Sequence, residues 1–295
     1  MTSNSNGNSP DGLPPLPPLP ISVADLRKSH GFSDQAQWAI PHKLMQGARP
    51  GFGLSDNNSS LADQVQKIVG EGKITTFVSL QAECLPEEGS FLLDGGGSRK
   101  SEPKNLPAYC REVDSAATRF GMPPPTFLYY GIIGMKTAKS VDSLSIAAKD
   151  LAKRITSGET IYVHCGGGVG RAGLITACVM GLLYKNLSAD AAIEYTTGLC
   201  HLRNLESKEE KHYSSPETEE QKEQVRQFFK TLVVVRTIMF VTYDTEFNMI
   251  ILAVTAVTSI TAITAFSPMI STALFAATST LKDITAILAF LYVTH

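Results

Sequence analysis

Residues 161 to 173 read IYVHCGGGVGRAG, and this stretch decides the fold. Its first five positions are apolar, β-branched or aromatic for the most part, the pattern of a buried strand. Glycines at 166, 167, 168 and 170 follow, and the residues beyond Arg171, AGLITACVMGLLYKN, carry helical apolar spacing with few charges. Strand, glycine loop and helix in that order turn successive backbone N–H groups toward one point at the positive end of a helix dipole, which is a cradle for a dianion. Gly166, Gly167, Gly168 and Gly170 allow the backbone angles of such a wrap, with Val169 between them. Arg171 closes the loop with a planar fork that grips two oxygens at once. Cys165 lies at the floor, where the same field favours a thiolate, a nucleophile toward phosphorus.

Outward from this loop, ITTFVSL (74 to 80) and TFLYYGII (126 to 133) read as further buried strands. Helical patterns lie between them at 60–70, 106–120 and 141–155. The alternation predicts an α/β fold with a central, mostly parallel sheet flanked by helices. After the loop's own helix, Ser188 is placed to cap the next one, ADAAIEYTTGL. Pro216 with acidic residues behind it opens a last helix through Lys230. CLPEEGSFLLDGGGSRKSEPKNL, from Cys84, interrupts the sheet as a long loop.

Composition narrows the function. Lys and Arg number 26 against 28 Asp and Glu, so no basic face suggests nucleic acid. The five cysteines, at 84, 110, 165, 178 and 200, include no CxxC pair; this argues against a zinc site and against a disulfide scaffold. The N-terminus has neither a basic n-region nor an apolar h-region. A cytoplasmic, reducing setting follows, and no metal or cofactor is implied.

The segment His164-Cys165-x5-Arg171 resembles the signature HCxxGxxR of the cysteine-dependent phosphatases, with Gly168 at its fixed glycine. WAIPHKLMQGARPGFG (38 to 53) resembles the opening strand and turn of dual-specificity phosphatases. SSPETEEQKEQVRQFF (214 to 229) resembles the closing segment of the compact group near kinase-associated phosphatase. The resemblance covers roughly residues 35 to 230. It implies a phosphoprotein substrate, attack by Cys165, and phosphate binding by the 166–171 amides and the Arg171 side chain. His164 would support the cysteine through the loop backbone, and Gln221 would place the hydrolytic water or face solvent. It also makes Cys84 a candidate redox partner of Cys165.

Two positions depart from the family pattern. Ala172 stands where a Ser or Thr hydroxyl is expected to help the cysteine sulfur leave, and Gly134 stands where the general-acid Asp is expected. Asp142 is the substitute acid candidate, with a first-turn helix charge as its alternative reading; Glu83 is a weaker one. Without an acid, aryl leaving groups are favoured over alkyl ones, hence a phosphotyrosine-like preference. The alternative function is a catalytically impaired pseudophosphatase that binds phosphorylated partners. Lysines are missing from the loop itself, although Lys136 and Lys139 flank Gly134.

Both ends lie outside this domain, taken as 22–230. Residues 1–21, with the run Pro14, Pro15, Pro17, Pro18 and Pro20, are expected to form a disordered tail, a spacer or an SH3- or WW-type ligand. From Phe247 to Leu281 no side chain is charged, and residues 248–266 are long enough to cross a hydrocarbon core. A helical membrane anchor, a re-entrant hairpin or a packed apolar appendage would each fit 231–295.

Overall fold

The computed structural model describes residues 12–19, 23–52, 60–84, 91–92, 108–203 and 214–243. A short helix α1 (Val23–His30) leads into β1 (Gly31–Ser33), β2 (Ala36–Ile40) and β3 (Leu44–Ala48). Helix α2 (Leu61–Gly70) and strands β4 (Thr76–Gln81) and β5 (Phe91–Leu92) follow, then α3 (Cys110–Arg119), β6 (Thr126–Ile132) and α4 (Val141–Thr156). Strand β7 (Ile161–Cys165), α5 (Gly170–Leu183), α6 (Ala189–Cys200) and α7 (Glu219–Tyr243) complete the order.

Among the described residues, seven strands form one sheet in the order β1-β2-β3-β7-β4-β6-β5. Pairs β1/β2 and β2/β3 are antiparallel, and the four remaining pairs are parallel. The sheet is therefore mixed, with its parallel part centred on β7 and β4. The expected strands at 74–80, 126–133 and 159–165 are its core, the last beginning at Ile161 and not at Glu159. The β2–β3 hairpin lies within the segment matched only by resemblance, and β5 falls inside the long expected loop, most of which lies outside the described residues.

Period-two alternation distributes side chains to the two faces. Along β7, Ile161, Val163 and Cys165 enter one apolar cluster with α4, α5, α6 and α7, while Tyr162 enters the opposite one with α2 and α3. Strand β4 divides likewise, with Val78 and Leu80 on the first side and Phe77 on the second. Helix α5 is buried continuously from Gly170 to Gly181, as an element apolar all round must be. Its position against the middle of the sheet brings the glycine loop to the C-terminal edge of the parallel strands, the usual place for a ligand in such sheets.

Local capping agrees with the sequence. The Ser188 side chain accepts from the Ala191 amide at 3.2 Å, and Ser60 and Ser140 head reciprocal capping boxes on α2 and α4. Helix α7 runs to Tyr243, beyond the domain end expected at 230. Among the described residues, no helix is long and apolar enough to cross a membrane; the stretch 248–295, on which the anchor was expected, lies outside them.

One expectation fails at the N-terminus. Residues 12–19 are not a free tail: Leu13, Leu16 and Leu19 pack against the cluster of α4 to α7. The leucines interleaved with the prolines supply apolar area that a proline spacer lacks, so the segment settles on its own domain instead of standing ready for an SH3 or WW reader.

Leu144 and Ile146 provide a test of this core. Leu144 is fully buried on α4, whereas Ile146 is 48% exposed. Leu144→Ala should cost about 2–5 kcal/mol in denaturant unfolding, and Ile146→Ala should stay within about 0.5 kcal/mol.

Candidate active site

The loop from Cys165 to Arg171 is held by its carbonyl groups. The Arg49 amide donates to the carbonyls of Cys165 (2.8 Å) and Gly166 (3.0 Å). Arg203, nearly fully buried, donates to those of Gly167 (3.0 Å) and Gly168 (3.2 Å). Gln46 Nε2 donates to the Gly168 carbonyl at 2.9 Å, and Ser215 Oγ to that of Val169 at 2.9 Å. Five consecutive carbonyls thus point outward into the scaffold. Because C=O and N–H lie on opposite sides of each planar trans peptide, the amides of residues 166 to 170 turn inward together. Gly168 makes the turn possible: its φ is +72°, and an added Cβ would strike the backbone of Gly47 and Ala48. Gly173 admits the Ser215 side chain in the same way.

Arg171 is almost wholly buried and is held along one edge. Its Nη1 donates to Glu83 Oε2 (2.6 Å) and to the Ile132 carbonyl (2.9 Å), and its Nη2 donates to Glu83 Oε1 (2.8 Å). Of the five guanidinium N–H groups, those on Nε and the second on Nη2 remain on the other edge. That edge is the fork available to a phosphate. Burial disfavours the Arg171 charge, but Glu83 and Cys165 outweigh it and raise its pKa. Burial likewise works against the Glu83 carboxylate, yet Arg171 holds it down to about 2.

His164 is fully buried, on the opposite side of β7 from Cys165. Its Nε2 lies 2.6 Å from Tyr109 Oη, and the Arg49 guanidinium stacks 4.9 Å from the centre of the Tyr109 ring. Burial first, then the Arg49 charge, lowers the imidazole to about 3, so His164 is neutral at physiological pH.

The sequence segment 133–225 matches the model of the Swiss Army Knife DSP-PTPase phosphatase domain, which spans the loop, α4 to α6 and the start of α7. Over that segment the chain is similar to a dual-specificity-type phosphatase domain. Solved structures similar to it include Tk-PTP in its active form (17% identity, 66% of this chain and 97% of that one, TM-score 0.43). Others are PTPMT1 with PI(5)P (14%, 68% and 99%, 0.44) and kinase-associated phosphatase with its catalytic cysteine replaced by serine (17%, 64% and 87%, 0.42). A comparison with curated proteins found no match.

Within this fold the expected site residues separate. Cys165, Gly166 to Gly170 and Arg171 come together as a cradle, with His164 directly behind them. Asp142 instead lies exposed in the first turn of α4, two residues after the Ser140 cap, where a carboxylate complements the helix dipole; among the described residues no bond ties it to the cradle. Glu83 reaches the site, as an ionised acceptor for Arg171 and not as a proton donor. Gln221 is fully buried, not facing solvent. Its Oε1 accepts from the amides of Glu217 (3.1 Å) and Thr218 (3.3 Å), and its Nε2 donates to the Lys136 carbonyl (2.9 Å).

Gln224 holds both the N–H and the C=O of Ala138, at 2.8 and 3.0 Å. Together the two glutamines fasten the Gly134 loop to α7. Gly134 itself is exposed, and nothing lies within 4 Å of where its Cβ would be. The side chains of Lys136 and Lys139 are exposed beside it. Ala172 is fully buried and apolar on α5.

All five cysteines are buried and free. Cys178 is pushed well up by burial, and Cys200 is raised by burial against the opposing effect of Arg203, whose Nη2 is 2.8 Å from its sulfur. Sequence reasoning missed Arg49, Tyr109, Arg203, Gln46 and Ser215. Their spacing to the loop carries no periodic signal; Gln46 and Ser215, for instance, are 169 residues apart.

Glu83→Gln tests the arginine clamp. Losing a hydrogen bond to a charged partner, about 1.5–3 kcal/mol, should lower kcat/KM some 10- to 150-fold. The shape of the pH–rate profile should not change, since a carboxyl held near 2 is already ionised throughout; a basic limb present in the wild type and lost in the variant would make Glu83 the acid instead. Because its folded pKa lies below the ordinary 4.5, the Glu83–Arg171 contribution to stability is present above that pH and fades as pH falls toward 2. The acid-unfolding slope of the variant between those values should be shallower.

Proposed function

We propose that this protein is a phosphoprotein phosphatase that hydrolyses phosphate monoesters through a phosphocysteine, with phosphotyrosine-like substrates preferred. The single observation that carries this reading is the set of five outward carbonyls, bonded one after another from Cys165 to Val169. They leave a ring of amides around the Cys165 sulfur, with the free edge of Arg171 beside it. A phosphoryl group seated there has its equatorial oxygens met by the amides and by the Nε/Nη2 fork.

In the first step the Cys165 sulfur bonds to phosphorus and the ester P–O bond breaks, its electron pair leaving with the substrate oxygen. In the second, water bonds to phosphorus, the S–P bond breaks, and inorganic phosphate departs as the thiolate returns. With Gly134 at the acid position, the leaving oxygen departs as an anion and takes its proton from solvent. A phenolate tolerates this far better than an alkoxide, and an absent acid typically costs about 10²–10⁴-fold. The free buried thiols favour a reducing, cytoplasmic setting for this chemistry.

The second reading, a binding-only pseudophosphatase, is favoured by Gly134 together with Ala172, since the two bear on successive steps. The distinguishing assay compares an aryl phosphate, a phosphotyrosine peptide and a phosphoserine peptide with the wild type, Cys165→Ser and Gly134→Asp. Turnover should require Cys165 and be faster on the aryl esters. Gly134→Asp, whose Cβ meets nothing within 4 Å, should raise the phosphoserine rate by at least about tenfold and add a basic limb to the profile. Phosphopeptide binding without any Cys165-dependent turnover would overturn the enzyme reading in favour of the second.

A further inference from the structure

Residues 12 to 20 read GLPPLPPLP, a three-residue repeat, and the structure answers it with a three-residue repeat of contacts. Gly12, Pro15 and Pro18 are exposed, while Leu13, Leu16 and Leu19 are half-buried against the cluster of α4 to α7. A chain whose exposure recurs every third residue has the symmetry of polyproline II, the conformation proline runs favour. Such a chain has no internal hydrogen bonds, so its carbonyls must find partners elsewhere.

Two of them find tyrosines. Tyr184 Oη donates to the Pro14 carbonyl at 2.8 Å, and Tyr195 Oη donates to the carbonyl of Pro17, one turn further on. Both rings are more than nine-tenths buried, and burial raises both hydroxyls in pKa, which keeps them as donors. Tyr184 closes the C-terminal end of α5 and Tyr195 lies on α6. A neutral hydroxyl meeting a proline carbonyl beside an apolar slot is the chemistry by which aromatic grooves read proline-rich segments.

We propose that the α5–α6 face is a polyproline II recognition site whose ligand is the chain's own segment 13–19. It reads Leu at every third position by packing and the carbonyl after each of the first two leucines by a tyrosine hydroxyl. The site is separate from the Cys165 cradle, which opens at the other end of α5, about 20 Å away at 1.5 Å per residue over its length. It does not depend on the phosphatase reading. While the segment is docked its leucine edge is covered, so another reader of proline-rich sequence meets only Pro15 and Pro18.

The test uses the full chain carrying Leu13→Ser, Leu16→Ser and Leu19→Ser together, which empties the groove. A labelled peptide of residues 12–20 should bind this variant saturably in fluorescence anisotropy, and a peptide with its leucines changed to serine should not. The wild type, whose tethered copy competes at high effective concentration, should bind the same peptide at least about tenfold more weakly. Adding Tyr184→Phe or Tyr195→Phe to the emptied variant should weaken binding about three- to tenfold each. Absence of saturable binding by the folded variant, or equal binding of the leucine-free peptide, would overturn the proposal. A second measurement leaves the segment intact: in Tyr184→Phe/Tyr195→Phe, the methyl NMR signals of Leu13, Leu16 and Leu19 should move toward their positions in the free peptide of residues 12–20, and unmoved signals would equally overturn it.

Discussion

The outward anchoring of the loop carbonyls is the constraint on which the rest of the site depends. A glycine loop on its own is free to point its amides anywhere. Here Arg49, Arg203, Gln46 and Ser215 each take one or two carbonyls from behind, and the planar peptide does the rest. Preorganisation of this kind means that the donors do not have to be turned toward an arriving anion. The cost falls on the scaffold, which must bury two arginines and a histidine around the loop. It does so with partners matched to each: backbone carbonyls and a cysteine sulfur for Arg203, the Tyr109 ring for Arg49, and the Tyr109 hydroxyl for His164, kept neutral.

Charge in the cradle is arranged with the same economy. Glu83 fixes one edge of Arg171 and stays ionised, leaving the opposite edge for a phosphate. The Gly134 loop is fastened just as firmly, by Gln221 and Gln224 from α7, so the position proposed for the acid is well fixed but carries no side chain. In the proposed mechanism, binding and nucleophilic attack are thus well supplied, whereas proton transfer has no side chain assigned to it. The proposed phosphotyrosine-like preference rests on that asymmetry.

The proline segment belongs to the same architecture from the other direction. Helix α5 starts at the cradle and ends at Tyr184, where the chain's own residues 13–19 lie across it. In composition the segment is indistinguishable from a spacer. What separates it from one is the register of its leucines with a surface that only folding assembles: a side chain every third residue is of no consequence until two tyrosines and an apolar slot repeat at the same interval.

Several features could be read without any coordinates, because they are local. The strand, the glycine loop and the buried helix after it follow from residue type and spacing, as do the serine cap of α6 and the pairing of nucleophile with arginine. The conformation of Gly168 is local too, since only glycine accepts that φ beside a neighbouring strand. By contrast, the roles of Glu83, Asp142, Gln221 and the proline run depended on which distant surfaces met. Glu83 became an arginine clamp because β4 ends beside Arg171; Asp142 became a helix-end charge because α4 starts there; Gln221 became a brace because α7 packs beneath Gly170. Sequence determined what could bind and attack a phosphate, since dipoles, glycines and a thiol act over a few residues. Only the tertiary structure decided what holds those groups still, because burial and charge pairing are set between elements from about 35 to more than a hundred residues apart.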